Sequence, residues 1–390
     1  MKKCLIVVEN LPLPKDKKVW WEALALKEAG WEVFTVSPGY APFRWREEKE
    51  GIKLYHFPSP QYTRGRLIYL WEYLNAFFWI FLLSYYLILK ERIRVLQVCN
   101  PPEIFFPLGW IIRLMGGHFI FDHHDLSPEM YLARFGRKDF FYWVLRICEY
   151  LTVITAERVI YPNNHQKEVV RKRTFSKHDK FVVIPTSVET KKIYPDKPVS
   201  YLRKGRKYVL GYLGVINPQD RVDILVDMVE ILVEKKGFRD LILYIMGNGD
   251  ARKELEIMVK ERGLKDYIYF TGWLDKEEDI RKYLSTCDLC LDSMLPNPYS
   301  DLSTLNKLLL YMAVGKPVVC FPLKVAQELL ESAGSFPSAL TPSALAEEVL
   351  KLLSEEDKRR KMGEKGRERV LKKFDWKKNK EKYVKIFSEL

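Results

Sequence analysis

The chain has 390 residues, 47% of them apolar, and a formal net charge of +13. Such a length and apolar content suit two or three globular domains that each bury a full core, not one small module. The basic balance favours anionic partners (phosphates, nucleic acid or an anionic membrane surface), but the basic residues are dispersed and form no nucleic-acid recognition module, so nucleic acid is not an expected partner.

Met1-Lys2-Lys3 leads straight into an apolar run at 4–8, which reads as a buried first strand and not as a signal peptide. A helix over 19–29, closed by Gly30, and a strand over 31–36 follow. Further strands are expected at 52–57, 95–99, 119–122, 159–161 and 182–184. The polar, basic, proline-containing stretch 191–207 is the expected hinge. A second series then runs through a strand at 208–213, a loop at 214–221, a helix from Val222, and strands at 241–246, 267–270, 289–292 and 317–321. Helices at 342–353 and 355–370 follow, and Phe374-Asp375-Trp376 opens a last one. Strands alternating with helices mean a parallel sheet covered on both faces. The expected fold class is α/β, with two Rossmann-like, doubly wound domains facing across a cleft. Their expected limits are 1–195 and 205–370, with 371–390 packing back on the N-terminal domain.

The six cysteines sit mostly in apolar runs. Cys287-Asp288-Leu289-Cys290 has no second pair to complete a metal site, and in a strand its two thiols would point to opposite faces. All six are expected to be reduced core residues of a cytoplasmic protein, and no metal is expected.

The stretch 67–89 holds Trp71, Phe77, Phe78, Trp79 and Phe81, with Tyr69, Tyr73, Tyr85 and Tyr86. Its unbroken apolar core is short against the ~20 residues a spanning helix needs. Arg64, Arg66, Lys90, Arg92 and Arg94 flank it. Aromatic residues between basic ones suit a helix lying in a membrane interface. A crossover helix between two strands of the first sheet fits equally well, and the two readings are compatible if one face packs on the sheet while the other meets lipid.

The densest chemical signal is 300–319, which reads S-D-L-S-T-L-N-K-L-L-L-Y-M-A-V-G-K-P-V-V. A polar loop enters a helix that ends at Gly315, a residue suited to the left-handed C-cap position. The helix N-terminus carries Ser303, Thr304, Asn306 and Lys307 beside unpaired backbone N–H groups, an arrangement suited to an anion at the carboxyl end of a parallel sheet. Asp122-His123-His124-Asp125 follows a strand, where a histidine relays a proton or bonds a hydroxyl. In Gly211-Tyr212-Leu213-Gly214, the last glycine lets the backbone approach a phosphate closely. Asn217-Pro218-Gln219-Asp220 then opens a helix. Arg221 either offers a bidentate phosphate contact or points to solvent. After Gly272, Trp273 either stacks near a base or packs.

Together these segments resemble the family 4 glycosyltransferases (group 1 glycosyl transferases), which have the GT-B fold. The 300–319 stretch is similar to the family's N-D-V-S-T-M-N-K-I-M-E-Y-M-A-x-G-K-P-I-V, and 122–129 to D-x-H-D-L-x-P-E. The turn after Gly211 is similar to G-V-M-G-P-Q-D-G-V-D, and Gly272-Trp273-Leu274 to the base-binding turn. Residues 10–19 and 158–164 match the first loop and the last N-domain strand, so the resemblance covers nearly the whole chain.

The resemblance implies a retaining, metal-independent transfer of a sugar from a nucleotide-diphosphate sugar to a glycan or lipid-linked acceptor. The setting implied is cell-envelope or exopolysaccharide synthesis, peripheral on the inner face of the membrane, with no cofactor beyond the donor substrate. Gly214, Asn217, Arg221, Gly272, Ser303, Thr304, Asn306 and Lys307 are the implied donor contacts. His124 and Asp125 are the implied contacts at the sugar and acceptor. Two positions depart from the family. Leu310 replaces the glutamate that grips the nucleotide ribose, a loss of ~2–3 kcal/mol in donor binding. The segment 321–326 also lacks the acidic residue that follows the lysine in relatives. A catalytically silent GT-B protein that binds a partner or glycan is therefore the alternative expectation, with a sugar-nucleotide epimerase behind it.

Overall fold

The structure, a computed structural model, describes residues 2–39, 42–59, 66–176 and 178–390, and for 66–73 and 178 the backbone alone. Arg64 and the side chains of Arg66, Tyr69, Trp71 and Tyr73 lie outside the described residues. The chain divides into two compact units, Met1–Thr186 with Asn379–Leu390, and Ser187–Lys378.

The first unit is built on one eight-stranded sheet. Its strands are β1 (Lys3–Val7), β2 (Glu32–Gly39), β3 (Arg46–Lys49), β4 (Ile52–Pro58), β5 (Val95–Cys99), β6 (His118–Asp122), β7 (Arg158–Tyr161) and β8 (Phe181–Val183). They lie in the order β3-β4-β2-β1-β5-β6-β7-β8, and only β3 runs antiparallel to its neighbour. Its sequence, Arg-Glu-Glu-Lys, has no apolar alternation to announce a strand; a charged strand at an edge resists pairing with another chain. Central β5 is buried at every position, as a strand covered on both faces must be.

The helices of this unit are α1 (Lys17–Glu28), α2 (Arg66–Glu91), α3 (Phe106–Leu114), α4 (Ser127–Phe135), α5 (Phe140–Thr155) and α6 (Asn164–Thr174). α2 carries the chain from β4 to β5, past β2 and β1. The order therefore reverses beside β1 and β5, and their carboxyl ends open at a topological switch point.

The second unit has an all-parallel sheet of β9 (Tyr208–Leu213), β10 (Leu241–Met246), β11 (Ile268–Gly272), β12 (Leu289–Asp292), β13 (Val318–Cys320) and β14 (Gly334–Ser335), in the order β11-β10-β9-β12-β13-β14. Helices α7 (Asp223–Glu230), α8 (Arg252–Glu261), α9 (Glu277–Thr286), α10 (Asn306–Ala313), α11 (Lys324–Leu330), α12 (Pro342–Ser354) and α13 (Glu356–Arg369) accompany it, and α14 (Trp376–Ser388) returns to the first unit. Two apolar clusters fill the space on either side of the sheet.

The stretch 191–207, the expected hinge, is anchored in the second unit. Ile193 and Leu202 are buried in the second unit's core. Arg367 donates to the Ile193 carbonyl at 3.0 Å, and the Ser285 and Thr286 hydroxyls accept from the Asp196 and Val199 N–H groups at 3.0 and 2.9 Å. These anchors come from residues distant in sequence, so polar local composition concealed them. The change of unit falls at Thr186, upstream of the expected limits at 195 and 205, and 371–378 stay with the second unit. All six cysteines are free thiols. Cys287 precedes β12 and lies with Cys290 in the same apolar cluster, so strand alternation does not separate them.

Candidate functional site

β12 runs Leu289-Cys290-Leu291 and ends in the buried carboxylate of Asp292. α10 begins beside that strand end. Lys307, in its first turn, donates to Asp292 Oδ1 at 2.7 Å and to the Tyr212 hydroxyl at 3.1 Å, and lies 3.9 Å from Asp220 Oδ1. Its ammonium also sits 4.4 Å from the centroid of the Tyr212 ring. Burial works against the charge, but Asp292, Tyr212 and Asp220 more than offset it, so Lys307 is held above its ordinary pKa and stays protonated. Burial raises the Asp220 carboxyl against the pull of Lys307, and burial likewise raises Tyr212. One turn along α10, the Tyr311 hydroxyl accepts from the Leu213 N–H at 2.7 Å and donates to the Leu291 carbonyl at 3.2 Å. That single buried phenol locks α10 onto the ends of β9 and β12.

The glycines at this end permit close backbone approach. A Cβ on Gly214, at φ +155°, would lie 3.0 Å from Lys307 Cε. One on Gly247, at φ +153°, would lie 1.8 Å from the Gly214 carbonyl oxygen. The Gly214 N–H donates to Met246 O at 2.9 Å, and the Ile216 N–H to Asn248 O at 3.0 Å. Asn217 donates its N–H to Asp220 Oδ2 at 3.2 Å and accepts from the Asp250 N–H on Oδ1 at 3.2 Å. Gly272 ends β11 at φ +78° and bridges to Gly247, while Trp273 beyond it is 55% exposed.

Lys307, Gly214 and Asn217 are thus brought to one end of the sheet, and the other expected donor residues take varied positions. The Arg221 guanidinium is paired with Asp223, Nε to Oδ1 at 3.0 Å and Nη2 to Oδ2 at 2.9 Å. The residue sits at φ +52°, which accounts for the glycine the family carries there. Ser303 and Thr304 precede α10 rather than lying in it, and the Ser303 hydroxyl donates to the Tyr299 carbonyl at 2.9 Å. Asn306 is the first residue of α10 and is exposed; Leu305 stands at the N-cap, with no side-chain cap on the helix. Leu310 packs half-buried against an apolar cluster.

In the first unit, β6 ends in Asp122, which is fully buried. Lys18 of α1 donates to both of its oxygens at 2.9 Å, and His124 Nε2 donates to Oδ2 at 2.7 Å. Burial favours the neutral acid, but His124 and Lys18 prevail and hold Asp122 well below the usual carboxylate range. The turn that carries His124 and Asp125 is pinned by Asn100, at the end of β5. Its Oδ1 accepts from both backbone N–H groups, at 2.5 and 3.3 Å, and its Nδ2 donates to the Asp125 carbonyl at 2.5 Å. His123 turns the other way, toward buried Glu149 at 3.2 Å.

Two groups here, Cys99 with Asp122 and His124, and Glu103 with His123 and Glu149, bring potential metal-ligating atoms within 4.8 Å. In the first, Lys18 and His124 already occupy Asp122, and burial and the Asp122 charge keep the Cys99 thiol protonated. In the second, Glu149 is bonded by the Arg173 guanidinium. In both groups a carboxylate is thus already engaged by a cationic side chain of the protein.

The sequence reading passed over Asp292, Tyr212, Lys18 and Asn100. Asp292 had a legible signal, a lone acid closing an apolar parallel strand at the edge where ligands bind. Lys18 had none, since its partner lies far along the chain.

Residues 17–186 match the glycosyl transferase 4-like domain, and residues 207–355 match the family model described as glycosyl transferases group 1. This chain belongs to the group 1 glycosyl transferases. Its fold is that of the GT-B glycosyltransferases. Among solved structures similar to this member of the family, sucrose-phosphate synthase from Thermosynechococcus elongatus aligns with a TM-score of 0.81 at 19% identity, over 100% of this chain and 99% of that one. HepE of Anabaena, solved with UDP and glucose, aligns with a TM-score of 0.74 at 17% identity over 100% of both chains. An uncharacterized glycosyltransferase of Methanocaldococcus jannaschii is 29% identical over 169 residues, 42% of this chain and 40% of that protein. The chain spans less than half the length of the curated relatives it matches.

Proposed function

We propose that this chain is a retaining, metal-independent glycosyltransferase that moves a sugar from a nucleotide-diphosphate sugar to a glycan or lipid-linked acceptor. Its proposed setting is cell-envelope or exopolysaccharide synthesis, in the cytoplasm at the inner face of the membrane. The observation that carries the reading is the buried Lys307 ammonium, held charged by Asp292, Tyr212 and Asp220 beside the Gly214 turn and the uncapped start of α10. When the sugar leaves, negative charge develops on the diphosphate. A preoriented ammonium and backbone N–H groups stabilise it there without reorganisation. The UDP in the Anabaena neighbour supports a nucleotide as the ligand class.

In this reading Lys307, Asn306, Thr304, Ser303 and the Gly214–Asn217 turn hold the diphosphate, and Gly272 borders the base. Arg221 would have to leave Asp223 to join them. Asp122 engages His124 through Nε2, which leaves Nδ1 as the ring nitrogen not bonded to that carboxylate. His124 through that atom, and Asp125, make the sugar and acceptor contacts that the family resemblance implies. Leu310 favours a second reading, a silent GT-B protein that binds a partner or glycan, because an apolar side chain accepts no bond from a ribose diol.

A thermal-shift panel of UDP, GDP, ADP, CMP and dTDP with their sugar conjugates, without metal, tests the choice. A ligand at ~100 times its dissociation constant adds about 2.7 kcal/mol, enough for a readable shift. Stabilisation by one base class supports the donor site and names the donor. No shift from any nucleotide transfers the weight to the silent protein.

A further inference from the structure

α2 is apolar on two opposite sides. Ala76, Ile80, Leu87 and Ile88 are buried, on a helix packed against β1, β2 and β4. Leu74, Phe78, Leu82, Tyr86 and Leu89 recur at helical spacing on the other side and are exposed. α3 packs against α2, and α5 against α3, so the three form one layer. α3 exposes Trp110 and Leu114; α5 exposes Phe140, Trp143, Ile147, Tyr150 and Ile154, again at helical spacing. Leu114 is 88% exposed and Phe140 74%. Scattered exposed apolar residues are ordinary, but three adjacent helices presenting such stripes make a continuous patch that water disfavours.

The margin of this patch is cationic. Lys90, Arg92 and Arg94 stand at the carboxyl end of α2, and Lys138 stands ahead of α5, all exposed. The neighbouring acids are already paired: Glu91 with Lys3 at 3.1 Å, Glu157 with Arg113 at 2.8 Å, and Asp139 with Arg137 at 2.9 Å. The four margin cations have no carboxylate partner among the described residues. Tryptophan and tyrosine beside lipid-like side chains, with lysine and arginine at the rim that bond no carboxylate among the described residues, fit a bilayer surface that carries negative headgroups. Residues Leu74–Glu91 are long and apolar enough to cross a membrane by length and composition. Their inner side is committed to the sheet, however, so the helix can lie on lipid but not span it.

We propose that the outer face of α2, α3 and α5 is a docking surface for an anionic lipid bilayer. The inference rests on the transferase reading only for the use it makes of a lipid surface, which is access to a lipid-linked acceptor. Lipid binding itself is measured without donor or acceptor.

The test is co-sedimentation of the full chain with vesicles containing phosphatidylglycerol and with pure phosphatidylcholine vesicles. Binding is expected to the anionic vesicles and to weaken with added salt. Two variants, Phe78→Glu and the double Trp143→Glu, Ile147→Glu, replace exposed side chains and should each cut binding roughly tenfold or more. Their melting temperatures, and any stabilisation by nucleotides, should match the wild type. Lack of binding to anionic vesicles, or variants that bind as well as the wild type, overturns the proposal. So does a dimer that the same substitutions dissociate, since the face would then belong to a second copy. None of these failures alters the nucleotide panel, which reports on the other unit.

Discussion

Removing the Lys307 ammonium would strand the buried Asp292 carboxylate and expose Asp220 to its repulsion. Lys307→Ala should therefore abolish transfer and also cost ~3–5 kcal/mol of stability, the usual penalty for breaking a buried ion pair. The double variant Lys307→Met, Asp292→Asn should regain most of that stability and none of the transfer, which denaturant unfolding and turnover assays will separate. Turnover unchanged in Lys307→Ala would sink the donor assignment. Leu310 argues in the opposite direction. Leu310→Glu should strengthen nucleotide binding by ~2–3 kcal/mol if the ribose lies where the family places it, as read by calorimetry. In the first unit, Asp122 and Glu22 have opposite pH signatures. Asp122 is depressed, so its contribution to stability is present above the ordinary carboxylate pKa and fades as pH falls toward its folded value. Glu22 is raised, first by burial and then by the Asp122 charge, so it binds its proton more tightly when folded. Its contribution is lost as pH rises from about 4.3, the ordinary glutamate value, through the folded value. Glu22→Gln should flatten that decline in a pH series of urea unfolding curves.

Among the elements, the loops that follow β9 and β10 define the site by how closely they run. Gly247→Ala would place a Cβ inside the Gly214 carbonyl, so it should cost ~1–3 kcal/mol or more and weaken nucleotide binding. Gly263 is also left-handed, at φ +67°, but has open space around it. Gly263→Ala should cost only ~1–2 kcal/mol in backbone strain and leave nucleotide binding unchanged, a comparison that thermal shifts with and without nucleotide will make. α10 was legible in outline because its signals are local: an apolar stripe, a polar entry, and Gly315 at φ +69° after its end. β3 was not, since four charged residues carry no period-two signal and are placed by their pairing to β4. The buried anchors of 191–207 were hidden for the same reason, being supplied by α9 and Arg367.

At the scale of the molecule, the first unit is completed by the last residues of the chain. Tyr383 and Phe387 are fully buried; the Tyr383 hydroxyl donates to Gln97 at 2.7 Å, and Phe387 meets the Trp31 ring at 5.6 Å. Deleting 379–390 should destabilise the first unit severely, since losing one large buried aromatic alone costs ~3–5 kcal/mol, while the second unit keeps any response to nucleotide. Calorimetry should show one transition moving to lower temperature. The sequence by itself determined the α/β class, the alternation of strands and helices, and the segments by which the family is known. All of these are carried by local periodicity and short-range spacing. Tertiary structure decided which charges meet. Lys18 reaches Asp122 because strand order sets β1 beside β5 and β5 beside β6, and Lys307 reaches Tyr212 because β12 lies next to β9. It also decided that one side of α2 is buried while the other stands in water, for burial depends on what the fold lays against a face and not on the face alone.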